Sequence, residues 1–164
     1  MFKGLISAIG CWMLATTLAH ADPPKVDYPA LVQACLEEID ESDLTDCVNR
    51  SRRPCGDRAL FSSRANEHGC LIVFSNVWRG AMHTNFSEAL GRAAEYEGNW
   101  ITGSTHEGMV WGLIDAQRSF ESFVEADCEA KAAKYGAGTL RGDATWICEM
   151  HHFANRAAEL RSWP

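Results

Sequence analysis

The cysteines are the side chains whose chemistry the sequence defines best. Six follow Cys11, namely Cys35, Cys47, Cys55, Cys70, Cys128 and Cys148. Their spacings of 11, 7, 14, 57 and 19 intervening residues include no Cys-x-x-Cys pair and match no zinc module. An even number of cysteines in an exported chain is typical of disulfide bonding in an oxidising compartment. We therefore expect three disulfides and no metal.

The histidines and acidic residues do not form a recognisable catalytic motif. His83, His106 and the His151-His152 pair lack the HExxH spacing of zinc hydrolases, so we interpret them as surface or half-buried side chains. The sequence contains neither a Gly-x-Ser-x-Gly turn nor a phosphate-binding glycine loop. No pair of carboxylates is recognisable as a general acid and base. We therefore expect a protein that is not an enzyme and that uses no cofactor.

The first 21 residues have the organisation of a secretory signal peptide. Lys3 precedes an apolar stretch from Leu5 to Leu18, and Ala19-His20-Ala21 fits the small-x-small cleavage rule. We predict cleavage after Ala21, which leaves 143 of the 164 residues in the periplasm or outside the cell. The stretch is short for a transmembrane helix, and no second one follows. Lipid attachment at Cys11 fits less well, because most of the apolar stretch would remain behind it.

The charge of the chain is acidic. The formal net charge is −7, and removal of Lys3 with the signal peptide makes it −8. This sign disfavours nucleic acid and anionic membranes as partners and favours a basic protein. The densest acidic segment holds six acidic residues among ten, Glu37, Glu38, Asp40, Glu41, Asp43 and Asp46. It is interpreted either as a solvated face or as a docking patch for a basic partner.

Two short helices are predicted at the start of the mature chain. Helical spacing covers residues 29–39, and a second short helix follows Ser42 as its cap. Residues 52–69 are rich in Pro, Gly and Ser and are predicted to be mostly loop. We therefore assign residues 22–54 to short helices and loop, and residues 55–164 to a helical domain.

Three longer helices are predicted from stripes of apolar residues. The first runs from Leu71, the second from a capping box of Ser104 and Glu107 to about Tyr135, and the third from Asp143 as its cap. Their stripes are Phe74, Trp78, Met82, Ala89, Ala93 and Tyr96; then Leu113, Gln117, Phe120, Val124 and Cys128; then Trp146, Met150, Phe153, Ala157 and Leu160. No alternating pattern indicates strands. The expected fold is all-α, a disulfide-stapled antiparallel bundle with a C-terminal helical hairpin.

The last two helices explain one disulfide directly. Cys128 lies about two turns before the end of one helix, Gly136 is placed to end that helix, and Cys148 lies about one turn into the next. A short turn between antiparallel helices brings such positions together. Closing a loop of this length contributes about 3 kcal/mol in the chain-entropy model. Three pairings of the other four cysteines stay open at this point.

The hairpin resembles the LprI-like lysozyme-inhibitor family of bacterial envelope proteins. Matching positions extend over residues 55–160, about three quarters of the mature chain. They are Cys70, Trp78, Phe86, Leu113, Gln117, Arg118, Phe120, Phe123, Cys128, Gly136, Gly138, Cys148, Arg156 and Leu160. The chain departs from the family pattern in having Arg79 for Asp, Met82-His83 for Leu-Asn, Val124 for Arg and Phe153 for Thr. The resemblance implies a Cys55–Cys70 pair, and we favour Cys35–Cys47 because it links two short adjacent helices.

The resemblance also implies a function. We expect an exported binding protein without enzymatic activity that inhibits lysozyme or a related peptidoglycan-cleaving enzyme. The alternative is a structural or stress-related envelope factor that does not contact lysozyme. Besides the acidic segment, Trp100 and Ile101 in the break between two long helices are candidate partner-binding residues. Gln117 is expected to be buried, with its amide bonded to backbone, Arg118 or Arg156.

Overall fold

Three long helices carry most of the fold. The computed structural model describes residues 26–37, 44–57, 63–98 and 108–163, and all regular secondary structure in these ranges is helical. The elements are α1 (Tyr28–Glu37), α2 (Leu44–Ser51), a 3-10 turn (Arg53–Gly56), α3 (Arg64–Gly98), α4 (Met109–Ala133) and α5 (Thr139–Arg161). The all-α prediction is confirmed. Among the described residues, no helix combines the length and apolarity needed to cross a bilayer.

The core lies where the predicted stripes of the three long helices meet. Their largest fully buried side chains are Phe74, Trp78 and Met82 from α3, Leu113 from α4, and Met150 and Leu160 from α5. Full burial of such a side chain contributes about 1.5–3 kcal/mol, so these contacts determine how the helices pack. One stripe member was predicted wrongly, because Tyr96 is 42% exposed near the end of α3.

Helix α3 begins earlier than the sequence predicts. Residues 64–69 were expected to be loop, but α3 starts at Arg64. The Ser63 hydroxyl accepts a hydrogen bond from the Asn66 backbone N–H at 3.2 Å, which caps the first turn. Arg64 also forms an ion pair with Glu67 at 2.6 Å within this turn. These local interactions outweigh the Ser-rich composition that suggested a loop.

The start of α5 also differs from the prediction. Asp143 was expected to cap this helix, but α5 begins at Thr139, after Gly138 with a φ of +119°. The buried Asp143 carboxylate instead accepts a hydrogen bond from Arg64 at 2.9 Å, and its other oxygen lies 2.7 Å from His68 Nδ1. It therefore links α5 to α3 and is not free to cap its own helix.

A glycine in α5 leaves room for the His68 ring at this link. A Cβ atom at Gly142 would lie 2.7 Å from Cε1 of His68, which is closer than carbon atoms pack. In the nearby turn between α4 and α5, Gly136 has a φ of +67°, and α4 ends at Ala133, two residues before the predicted Tyr135. The predicted caps Ser42, Ser104 and Glu107 lie outside the described residues.

Three disulfides join elements that are neighbours along the chain. Cys35–Cys47 links α1 to α2, Cys55–Cys70 links the 3-10 turn to α3, and Cys128–Cys148 links α4 to α5. Their Cα–Cα distances of 5.7, 5.4 and 5.5 Å are typical of disulfides. The expectation of disulfide bonding is confirmed, and the three pairs are the ones that we favoured from the sequence.

We predict that replacing both Cys128 and Cys148 by Ala lowers the free energy of unfolding by about 3 kcal/mol, because the unfolded chain gains the entropy of an open loop. Alanine avoids a buried hydroxyl at Cys128, which is fully buried. Urea denaturation of the oxidised wild type and the variant measures the difference. Equal free energies of unfolding would contradict the stabilising role of this bond.

We predict that mild acid destabilises the fold through His151. Burial lowers the pKa of His151, and the neighbouring positive charges of Arg52, His152 and Lys131 lower it further. As the pH falls through about 6.5, the unfolded chain therefore takes up a proton that the folded chain does not, so stability is lost. The melting temperature of the His151→Gln variant should fall less between pH 7.5 and 5.5 than that of wild type. His83→Gln, at a more exposed histidine, is the control; equal pH dependence in wild type and His151→Gln would refute the assignment.

Candidate binding groove

The middle parts of all three long helices line one groove. Its volume is about 400 Å³, within the range of about 300–1,000 Å³ found for ligand sites. The lining residues are Arg79, Met82 and His83 from α3, Glu121, Val124 and Glu125 from α4, and Glu149 and Phe153 from α5. Each helix contributes lining residues that are three or four positions apart, the spacing of side chains on one face of a helix.

The base of the groove is apolar and its rim is charged. Met82, Val124 and Phe153 are at most 3% exposed and belong to the core. Three glutamates, one arginine and one histidine supply the polar lining. The groove keeps a net negative charge even if His83 is protonated, because three carboxylates then oppose two cations. Its electrostatic character therefore fits a cationic ligand.

One end of the groove is neutralised by the chain itself. Glu149 accepts hydrogen bonds from the Ser75 hydroxyl at 3.2 Å and from Arg79 Nη2 at 3.3 Å. The guanidinium carbon of Arg79 lies 4.9 Å from the centre of the Phe153 ring, within the range of a cation–π interaction. A carboxylate and an aromatic face thus hold the Arg79 guanidinium here.

The other end carries charge that no arginine or lysine of the described residues neutralises. Glu121 and Glu125 are exposed and lie four residues apart on α4, an arrangement in which like charges repel by a few tenths of a kcal/mol. Glu121 Oε1 accepts a hydrogen bond from Gln117 at 2.9 Å and lies 4.0 Å from His83 Nδ1. Within the described ranges, Glu125 has no hydrogen bond or ion pair. This pair is therefore the part of the groove with the strongest attraction for a cation.

A buried arginine supports Glu121 from behind. Arg156, only 6% exposed, donates through Nε to the Gln117 carbonyl at 3.1 Å, and the Gln117 amide group donates to Glu121. The amide dipole thus points its positive end at the Glu121 carboxylate. Arg156 also pairs with Glu159 at 2.8 Å. The resulting chain of hydrogen bonds orients Glu121 and stabilises its negative charge.

Gln117 is a buried residue with a structural hydrogen bond. It is 4% exposed, and Arg156 is its partner among the candidates that the sequence suggested. The other candidate, Arg118, is exposed and bonds Asp115 at 3.4 Å. Sequence reasoning found Gln117 and Arg156 but missed the carboxylates of the groove. The sequence feature that could have revealed these carboxylates is the four-residue spacing of Glu121 and Glu125 beside the stripe residue Val124.

The two partner-binding surfaces suggested by the sequence are mostly outside the described ranges. Glu37 lies exposed at the end of α1, and Asp46 lies exposed in the first turn of α2. The remaining candidates fall outside the described residues: Glu38, Asp40, Glu41, Asp43, Trp100 and Ile101. Neither Glu37 nor Asp46 is among the residues that line the groove.

A second polar cluster lies between α4 and α5. Asp127, Cys128, Cys148 and His152 place metal-ligand atoms within 4.8 Å of one another. The two sulfurs form a disulfide and are not thiolates, which zinc would require. The pKa of Asp127 is lowered mainly by a hydrogen bond from Lys131 and, to a smaller extent, by a hydrogen bond from His152. These protein contacts account for the charge of the cluster without a metal.

No family profile, curated protein or solved structure matches this chain. The LprI-like resemblance therefore stands on its motif residues alone. The departures from that pattern share one location, since Arg79, Met82, His83, Val124 and Phe153 all line the groove.

We predict that Gln117→Met lowers the free energy of unfolding by about 1–3 kcal/mol, because Arg156 loses a buried acceptor. Chemical denaturation of the purified variant measures the loss. Arg118→Met, at an exposed position one residue away, is the matched control and should change stability by less than about 0.5 kcal/mol. A Gln117→Met variant as stable as wild type would contradict this account of the network.

Proposed function

We propose that this chain is an exported, non-enzymatic binding protein that acts on a basic protein, and that its target is lysozyme or a related peptidoglycan-cleaving enzyme. The observation that carries the proposal is the groove, where Glu121 and Glu125 present negative charge above an apolar base. The acidic net charge of −7 supports it. The choice of lysozyme rests on the resemblance to the LprI-like family.

Electrostatics favours such a pair of proteins. Lysozymes are often strongly basic, so an acidic surface increases the rate of encounter and orients the approach. The attraction is screened as ionic strength rises, because the Debye length falls to about 8 Å at physiological salt. A partner of this kind therefore predicts binding that weakens with added salt.

The disulfides support export and a prearranged binding surface. Oxidised cysteine pairs are typical of proteins that act outside the cytosol. The Cys128–Cys148 bond holds α4 and α5 together next to the groove. A surface that is already ordered loses less entropy when a partner binds, which favours affinity.

The decisive experiment titrates the purified mature protein, from Asp22 onward, into a muramidase assay with lysozymes of several types. We expect inhibition that approaches a defined stoichiometry for at least one type and weakens as salt is added. An unrelated acidic protein of similar net charge controls for non-specific association. Calorimetry in parallel separates binding from inhibition.

An absence of inhibition for every lysozyme type, even at large molar excess, would refute the inhibitor proposal. Calorimetric binding without inhibition would retain the binding function and remove the inhibitory one. An absence of both would favour an envelope factor that does not contact lysozyme.

A further inference from the structure

We propose that Glu121 and Glu125 bind an arginine side chain of the partner, which enters the groove beside the chain's own Arg79. The identity of the partner rests on the function proposed above. The chemistry of the site does not, because it concerns a guanidinium group that can be supplied as a small molecule.

Arg79 shows that this groove accommodates a guanidinium. Its side chain lies over the Phe153 ring at 4.9 Å and donates to Glu149 at 3.3 Å. Glu149 is held in place by a second hydrogen bond, from Ser75. An aromatic face together with an oriented carboxylate is a combination that suits arginine.

The adjoining part of the groove offers two further carboxylates. Glu121 and Glu125 project from successive turns of α4 on either side of Val124, into the same volume of about 400 Å³. The five donors of a guanidinium are enough to bond both carboxylates, and the bound cation would remove their mutual repulsion. The Val124 and Met82 side chains would lie beneath the aliphatic part of the incoming arginine.

Glu121 is prearranged for this role. The Gln117 amide donates to its carboxylate at 2.9 Å, and Arg156 fixes the orientation of that amide from the buried side. The carboxylate therefore does not have to be ordered when the ligand arrives, which reduces the entropic cost of binding. Glu125 is exposed at the rim and supplies a second acceptor.

Arginine fits this arrangement better than lysine. A planar guanidinium can bond two carboxylates at once, and it is more weakly hydrated than an ammonium group. Lysine would gain only a point-charge attraction, so the site should discriminate between the two side chains.

The test measures binding of N-acetyl-arginine amide and N-acetyl-lysine amide to the full mature protein by NMR titration. We expect saturable binding of the arginine compound, and binding of the lysine compound that is several-fold weaker. Glu121→Gln with Glu125→Gln should weaken arginine binding by about tenfold, the loss expected for one charge-assisted hydrogen bond or more. Glu88→Gln with Glu95→Gln is the matched control, because these exposed residues of α3 lie outside the groove and carry the same charge.

A second variant tests the site by changing Glu125 alone and keeping the Glu121 carboxylate. Glu125→Lys places an ammonium group four residues after Glu121, where it can form a favourable ion pair and occupy the site. We expect this variant to keep its melting temperature and to lose arginine binding. Equal binding of the two compounds by wild type, an equal loss in the Glu88/Glu95 control, or undiminished binding by Glu125→Lys would each overturn the proposal.

A lysozyme-binding measurement with the same variants separates this inference from the proposed function. Loss of lysozyme binding in the groove variants but not in the control supports both. Undiminished lysozyme binding in the groove variants retains the function and refutes the groove as its site. If the protein binds arginine but no lysozyme, the arginine site stands and lysozyme is refuted as the partner.

Discussion

The Cys128–Cys148 bond is the constraint on which the groove depends most. Cys128 lies about one turn beyond Val124 and Glu125 on α4, and Cys148 directly precedes Glu149 on α5. The bond therefore fixes which turn of α4 faces which turn of α5, at the point where the two helices begin to line the groove. Hydrophobic packing alone would tolerate a shift along the helix axes more readily, because apolar contacts have little directionality.

Helix α3, which lines the groove together with α4 and α5, is positioned by its polar contacts with α5. Asp143 joins Arg64 and His68 near the start of α3, where Gly142 leaves room for the His68 ring. Farther along the same interface, Arg79 reaches across to Glu149 and Phe153. The buried Asp143 carboxylate at one end thus helps to set the register for the Arg79 site, which lies about three turns farther along both helices.

The sequence predicts the elements better than it predicts the site. The stripes around Trp78, Val124 and Phe153 specify the three long helices, because burial of one helix face is encoded at three- and four-residue spacing. Local chemistry was harder to anticipate, since Ser63 extends α3 and Asp143 serves a distant arginine instead of its own helix. The groove could not be derived, because it depends on which residues of α3 and α5 face Glu121 and Glu125 after packing.

The central claim is that a cationic side chain binds above Met82 and Val124, beside Glu121 and Glu125. The most direct measurement is methyl NMR of the mature protein during titration with an arginine-containing peptide. The account predicts that the Met82 and Val124 methyl signals shift together and saturate with one dissociation constant, while Met109 at the start of α4 stays unchanged. Saturable binding that leaves the Met82 and Val124 methyl signals in place would contradict it.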